Sequence, residues 1–142
     1  MSKVVTYERH GDVHTFQLGN PVMDTFTVDY SSVPPEERTG LPKELLASSA
    51  LACYGAMLGA ALDARKVAYT KIQGKADIEV GPNSRGQGRV KKITLQFSVT
   101  LPEKDRTSFE RCARIMENGC LITGSLHEGI EMEYHLDAAY QA

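Results

Sequence analysis

Leu45-Leu46-Ala47-Ser48-Ser49-Ala50-Leu51-Ala52-Cys53-Tyr54-Gly55-Ala56-Met57-Leu58-Gly59-Ala60-Ala61-Leu62 is the stretch on which the fold turns. Wound at 3.6 residues per turn, its Ala, Leu, Ser, Cys, Gly and Met side chains occupy nearly the whole circumference, and a helix apolar all round must be covered on every side. Pro42 opens it, since proline at the first helical position loses no hydrogen bond, and the run Lys43 to Arg65 holds no further breaker except Gly55 and Gly59. The small residues Ser48, Ser49, Ala52, Gly55, Ala56, Gly59 and Ala60 admit a second backbone at close range. In a chain of 142 residues, full cover requires a sheet with further helices or a second subunit, and the expectation is a homodimer whose central helices pack together. The stretch is about the length of a membrane span, but two Ser, two Gly and an Ala-rich composition make it far less hydrophobic than a span needs. It reads as a buried helix, with no membrane partner.

Strands are expected on both sides of this helix. Towards the N-terminus, Val4–Glu8 and Val13–Leu18 flank the turn-rich Arg9-His10-Gly11-Asp12, and Thr25–Tyr30 alternates Phe26, Val28 and Tyr30 with Thr27 and Asp29. Towards the C-terminus, Ile72, Gly74, Ala76, Ile78 and Val80 alternate with Gln73, Lys75, Asp77 and Glu79. A Gly-Pro-Asn-Ser-Arg-Gly loop then leads to a matching arm with Ile93, Leu95, Phe97, Val99 and Leu101 on one face. Phe109, Cys112, Ala113 and Met116 form one helical stripe between Asp105 and Asn118, Asn118-Gly119 stops it, and a short helix of about Leu121 to Glu128 ends at Gly129. A last strand is expected over Ile130–Asp137, with Ile130, Met132, Tyr134 and Leu136 inward. The order βββ, α, ββ, αα, β makes one α+β domain over residues 1–142, its antiparallel sheets packed on the long central buried helix.

Composition narrows the function. With 16 basic and 18 acidic residues and a net charge of −2, nothing draws the whole chain to nucleic acid or an anionic membrane. Residues 63–92 do hold eight basic residues against three acids. Most of these, including Arg85, Arg89, Lys91 and Lys92, lie on a hairpin's polar face or loop with little aromatic interleaving, so a solvated face is expected and no nucleic-acid partner. The first fourteen residues carry charges rather than an apolar run, and three cysteines, an odd number without a Cys-rich framework, point to a reducing, cytoplasmic setting. There is no G-x-S-x-G elbow, P-loop or G-x-G-x-x-G. Cys112, Cys120 and His127 are spaced by eight and seven positions, which matches no compact zinc pair, so neither metal nor cofactor is expected.

The cysteines divide by position. Cys112 belongs to the helical stripe and hence to the core. Cys53, in mid-helix, reads either as a small core hydrophobe or as a functional thiol. Cys120 follows a helix break and precedes a new helix, where N-terminal amides and the positive dipole end lower a thiol pKa.

Leu41-Pro42-Lys43-Glu44-Leu45-Leu46-Ala47, then Ala52-Cys53, then Gly119-Cys120 before a short helix, resemble the OsmC/Ohr family of osmotically inducible and organic hydroperoxide resistance proteins over essentially the whole chain. The resemblance implies an intertwined homodimer with two interfacial sites, each pairing two cysteines. Carried over, Cys53 is the sulfur that attacks an organic hydroperoxide and becomes a sulfenic acid, and Cys120 resolves it to a disulfide that an external dithiol reduces. It further implies an Arg supporting the thiolate, here Arg38 or Arg9, and a Glu orienting that Arg. The best-studied hydroperoxide reductases of the family carry the Glu directly after the helix-opening proline, where this chain has Lys43; Glu44 comes one position later, as in divergent members. Nine residues from Cys53, Glu44 is turned about 900° around the helix, onto the opposite face. A second reading follows from Lys43: a dimer that has kept the fold and binds a small apolar ligand without redox turnover.

Overall fold

A stacked pair, Phe16 and Phe26, directly opposite each other on adjacent strands with ring centroids 4.4 Å apart, marks the middle of the first sheet. In this computed structural model, which describes residues 1–141, β1 (Thr6–His10), β2 (Val13–Gln17) and β3 (Thr25–Asp29) form an antiparallel meander in that order. The β1–β2 turn is only Gly11-Asp12, so Arg9 and His10, expected in the turn, pair with His14 and Val13 as the end of β1; Gly11 takes φ +57°, a conformation that costs glycine least. A short 3-10 turn over Pro35–Glu37 follows. Where one domain is expected, the chain forms two compact units, Met1–Leu41 and the remainder from Pro42.

In the second unit, α1 (Leu41–Ala64) realises the long helix. It ends where Lys66 adopts a left-handed φ of +56° and the Val67 amide turns back to the Leu62 carbonyl. β4 (Lys71–Pro82) and β5 (Gly88–Thr100) pair antiparallel over almost their whole length, a longer hairpin than the alternation alone marks out. A bulge between Glu79 and Val80 breaks the alternation, so Val80, expected inward, is 56% exposed. Then come α2 (Arg106–Met116) and α3 (Leu121–Glu128).

The core gathers Leu58 and Leu62 of α1, Val67, and Cys112 and Met116 of α2, with Tyr54, Tyr69, Ile72, Phe97, Val99 and Phe109 packed against it. The alternating face of the hairpin and the stripe of α2 therefore meet the same side of α1. Contact at Gly74 is close enough that a Cβ there would lie 2.8 Å from the Phe97 ring, so glycine at this strand position makes room for an aromatic side chain that also stacks on Tyr54 at 4.8 Å.

Within one chain α1 is buried at Ala47, Ala50, Leu58 and Leu62, and Leu45, Ala52, Ala56, Met57 and Ala60 stay exposed. α1 is long and apolar enough to cross a membrane by length and composition, although one side of it serves the core. The strand expected over Ile130–Asp137 is absent: Ile130, Met132, Tyr134 and Leu136 are 55–99% exposed. Alternation in a sequence records which face seeks cover, whereas a strand also needs a neighbour with free amides and carbonyls, and among the described residues of this chain none pairs with that segment.

Candidate functional site

Asn118-Gly119 ends the helical stripe and starts the site. Gly119 takes φ +74°, and a Cβ there would stand 2.7 Å from Thr123 Oγ1, so this turn excludes any side chain. Cys120 follows as the N-cap of α3. Its backbone N–H donates to Thr123 Oγ1 at 2.9 Å while its sulfur faces the Thr123 amide, a capping box with sulfur in the place usually held by a hydroxyl or carboxylate oxygen. Thr123 Oγ1 also lies 3.3 Å from Cys120 Sγ. Cys120 is buried at 8% exposure.

Cys53, half-buried a little over three turns into α1, has its ionisation governed by the same helix start: the Cys120 side chain pushes its pKa up, and the Ile122 and Leu121 amides pull it down. The two sulfurs are therefore neighbours within one chain, and both are free thiols. Their ionisation is divided. The hydrogen bond to Cys120 pushes the Cys53 thiol up, with burial and the Cys120 charge adding to this, against the lowering effect of the two amides. For Cys120, burial opposes the thiolate, but the hydrogen bond from Cys53, the Thr123 hydroxyl and the Thr123 and Ile122 amides outweigh it and bring the thiol down. Of the two thiols, Cys120 is therefore the one that ionises more readily. Tyr54, beside the pair, is pushed up by burial and then by the Cys120 charge.

An open cavity of about 710 Å³ adjoins this turn. Leu46, Ala50, Tyr54, Ile93, Leu95 and Met116 give it an apolar wall, and Lys91, Lys92 and Glu117 put charged groups on it. Tyr54, Gly119 and Thr123 line it, so the cavity wall is formed by the immediate neighbours of the two cysteines.

The other expected site residues each have surroundings of their own. Glu44 is exposed in the first turn of α1, about 13 Å along the axis from Cys53, as its nine-residue offset requires. Arg38 is engaged in the first unit, where its guanidinium donates to Asp12 at 2.9 Å and to the Val33 carbonyl at 2.7 Å and lies over the Tyr30 ring. Arg9 donates to the Gly11 carbonyl. Cys112 is fully buried in the core. Thr123 was not singled out in the sequence, although the spacing Cys-x-x-Thr at a helix start is the trace of a capping box. Among the described residues no three metal-ligating side chains cluster.

A family model described as OsmC-like protein matches residues 37–135. No curated protein matches the sequence. Among solved structures, an OsmC-like protein from Mycoplasma pneumoniae is similar at TM-score 0.68 and 18% identity, over 89% of this chain and 88% of that one. An OsmC-like protein of unknown function from Vibrio cholerae gives 0.61 and 18%, over 88% and 94%. An organic hydroperoxide resistance protein from Elizabethkingia anophelis, with crystallant-derived thiocyanate bound, gives 0.56 and 15%, over 88% of each chain. At these identities the structures show a shared fold.

Proposed function

The chain belongs to the OsmC-like protein family, and from that premise we propose that it is a thiol-dependent peroxidase reducing organic hydroperoxides through Cys53 and Cys120. The observation that carries this reading is that the two thiols stand close enough at the start of α3 for each to shift the other's ionisation. A pair that shares a proton, faced by first-turn amides, can place negative charge on either sulfur at modest cost.

The chemistry then runs in two steps. A proton shift along the S–H···S contact gives Cys53 the charge as it meets the peroxide, and the Leu121 and Ile122 amides receive it. The Cys53 sulfur attacks the terminal oxygen, the O–O bond breaks, and the alkoxide leaves as the alcohol with that proton; Cys53 has become a sulfenic acid. Cys120 thiolate next attacks the Cys53 sulfur, expelling hydroxide, which takes a proton to become water, and the resulting disulfide is reduced by an external dithiol. Arg38 or Arg9 supporting the thiolate, with Glu44 as the orienting carboxylate, belongs to this reading as a proposal. One equivalent of cumene hydroperoxide should lower the intact mass by two hydrogens, and peptide mapping should place the bond between Cys53 and Cys120. A mapped pair that stays reduced would remove the peroxidase reading.

The apolar wall of the cavity favours the second reading, a small apolar ligand bound without turnover, and the same mass measurement separates the two. The working unit is proposed to be a homodimer. Exposed Leu45, Ala52, Ala56 and Met57 on α1, together with Ile130, Met132, Tyr134 and Leu136, leave one chain with more uncovered apolar surface than a monomer ordinarily carries. Sedimentation at micromolar concentration is expected to give twice the 15.6 kDa chain mass; a single-chain mass would refute the dimer.

A further inference from the structure

Cys120 and Thr123 exchange hydrogen bonds at the start of α3. Thr123 Oγ1 accepts the Cys120 backbone N–H at 2.9 Å, and the same oxygen lies 3.3 Å from Cys120 Sγ. With an acceptor position of the oxygen taken by the amide, its own hydrogen is free to point at the sulfur. The Thr123 amide faces that sulfur too, through the capping box. A sulfur that receives a hydroxyl hydrogen and an amide hydrogen, next to a thiol that can give it a third, is set up to carry the charge. Gly119 keeps the arrangement in place, because any Cβ there would occupy the space of Thr123 Oγ1.

We infer that Thr123 is a positioning residue that holds the negative charge of the cysteine pair on Cys120 and thereby sets how fast the disulfide closes. The inference rests on the two-cysteine reading for its consequence in turnover, but the placement of charge stands on the capping geometry alone. In the closing step Cys120 thiolate donates its electron pair to the Cys53 sulfenic sulfur, the S–O bond breaks, and hydroxide leaves as water after gaining a proton. Without the threonine hydroxyl the thiolate loses its only side-chain donor other than Cys53. The titratable groups that face Cys120 are Cys53 and Tyr54, both from α1. Glu117, Lys91, Lys92 and His127 stand further out, on the cavity wall.

The test measures the pH profile of Cys120 alkylation by iodoacetamide, with peptide mapping to separate the three cysteines, in the full chain carrying Thr123→Val, Thr123→Ala or Thr123→Ser. Thr123→Val and Thr123→Ala are expected to move the Cys120 midpoint to higher pH by about one unit, about a tenfold loss of thiolate below the midpoint. Thr123→Ser should restore the parent profile, which a purely structural role for the threonine methyl group would not do. After one equivalent of cumene hydroperoxide, sulfenic acid on Cys53, trapped with dimedone, should persist longer in the Val and Ala variants. Thr123→Ala leaves room rather than adding bulk, so it decides the matter if Thr123→Val does not fold. A Cys120 profile unchanged in Thr123→Ala, or not restored in Thr123→Ser, overturns the inference. If the parent protein does not turn over hydroperoxide, the peroxidase reading falls while the alkylation profiles still decide the role of Thr123.

Discussion

Cys53→Ser is expected to lower cumene hydroperoxide turnover, followed with dithiothreitol as reductant, by at least about a hundredfold, since a hydroxyl cannot take the place of a thiolate as the attacking group. The size of the effect follows from what is removed. Cys53 supplies both the nucleophile and the sulfur on which the disulfide closes, and a serine hydroxyl stays un-ionised at pH values where a thiol can be brought to ionise. The substitution is small and the position half-buried, so the fold should survive; an unchanged thermal transition would establish that activity was lost at the site. Cys112→Ala is the matched control. Cys112 is fully buried among Leu62, Val67 and Met116, and its loss should cost stability and leave turnover of the folded protein near the parent value. Turnover unaffected by Cys53→Ser would take Cys53 out of the mechanism.

The second large effect concerns stability. Leu62→Ala is expected to destabilise the protein by about 3 kcal/mol, read as a shift of the urea midpoint at fixed protein concentration. Leu62 has no exposed surface and sits on the side of α1 where the hairpin and α2 converge. Two costs combine there: the transfer free energy of the removed methyl groups, and a cavity that the surrounding side chains cannot close. The helix meets the hairpin through the tilted Tyr54–Phe97 ring pair, centroids 4.8 Å apart. Helix propensity does not offset the loss, because Leu and Ala are both good helix formers. A midpoint shift worth less than about 1 kcal/mol would show that Leu62 is not a central residue of the core.

Much of this was readable in the order of residues, for reasons of periodicity. The turn-rich residues between them place β1 and β2, alternation at period two places β3 to β5, and the stripe Phe109, Cys112, Met116 places α2 and sends Cys112 into the core, because such periodic patterns record which face of an element must leave water. Asn118-Gly119 places the break before α3, since the left-handed φ that Gly119 adopts strains any other residue. The breaks in the pattern were not readable. The bulge at Glu79/Val80 is a feature of strand register, which depends on both arms of the hairpin together. Nor could Ile130–Asp137 announce that it would lack a partner, because its alternation is satisfied equally by a neighbour in the same chain or in another.

The same division runs through the site. Sequence by itself determined that the chain is an α+β protein built around one long apolar helix, that Cys112 is structural, and that Cys53 and Cys120 hold positions suited to reactive thiols. Only the tertiary structure decided that the two thiols influence each other, and that Cys120 is the one whose pKa falls. It also revealed Thr123 as the side chain against the Cys120 sulfur. The physical reason is range. Propensity and periodicity act over a few neighbouring residues and leave their trace in local order, whereas an interaction between sulfurs 67 positions apart in the chain exists only once α1 and the start of α3 have packed together.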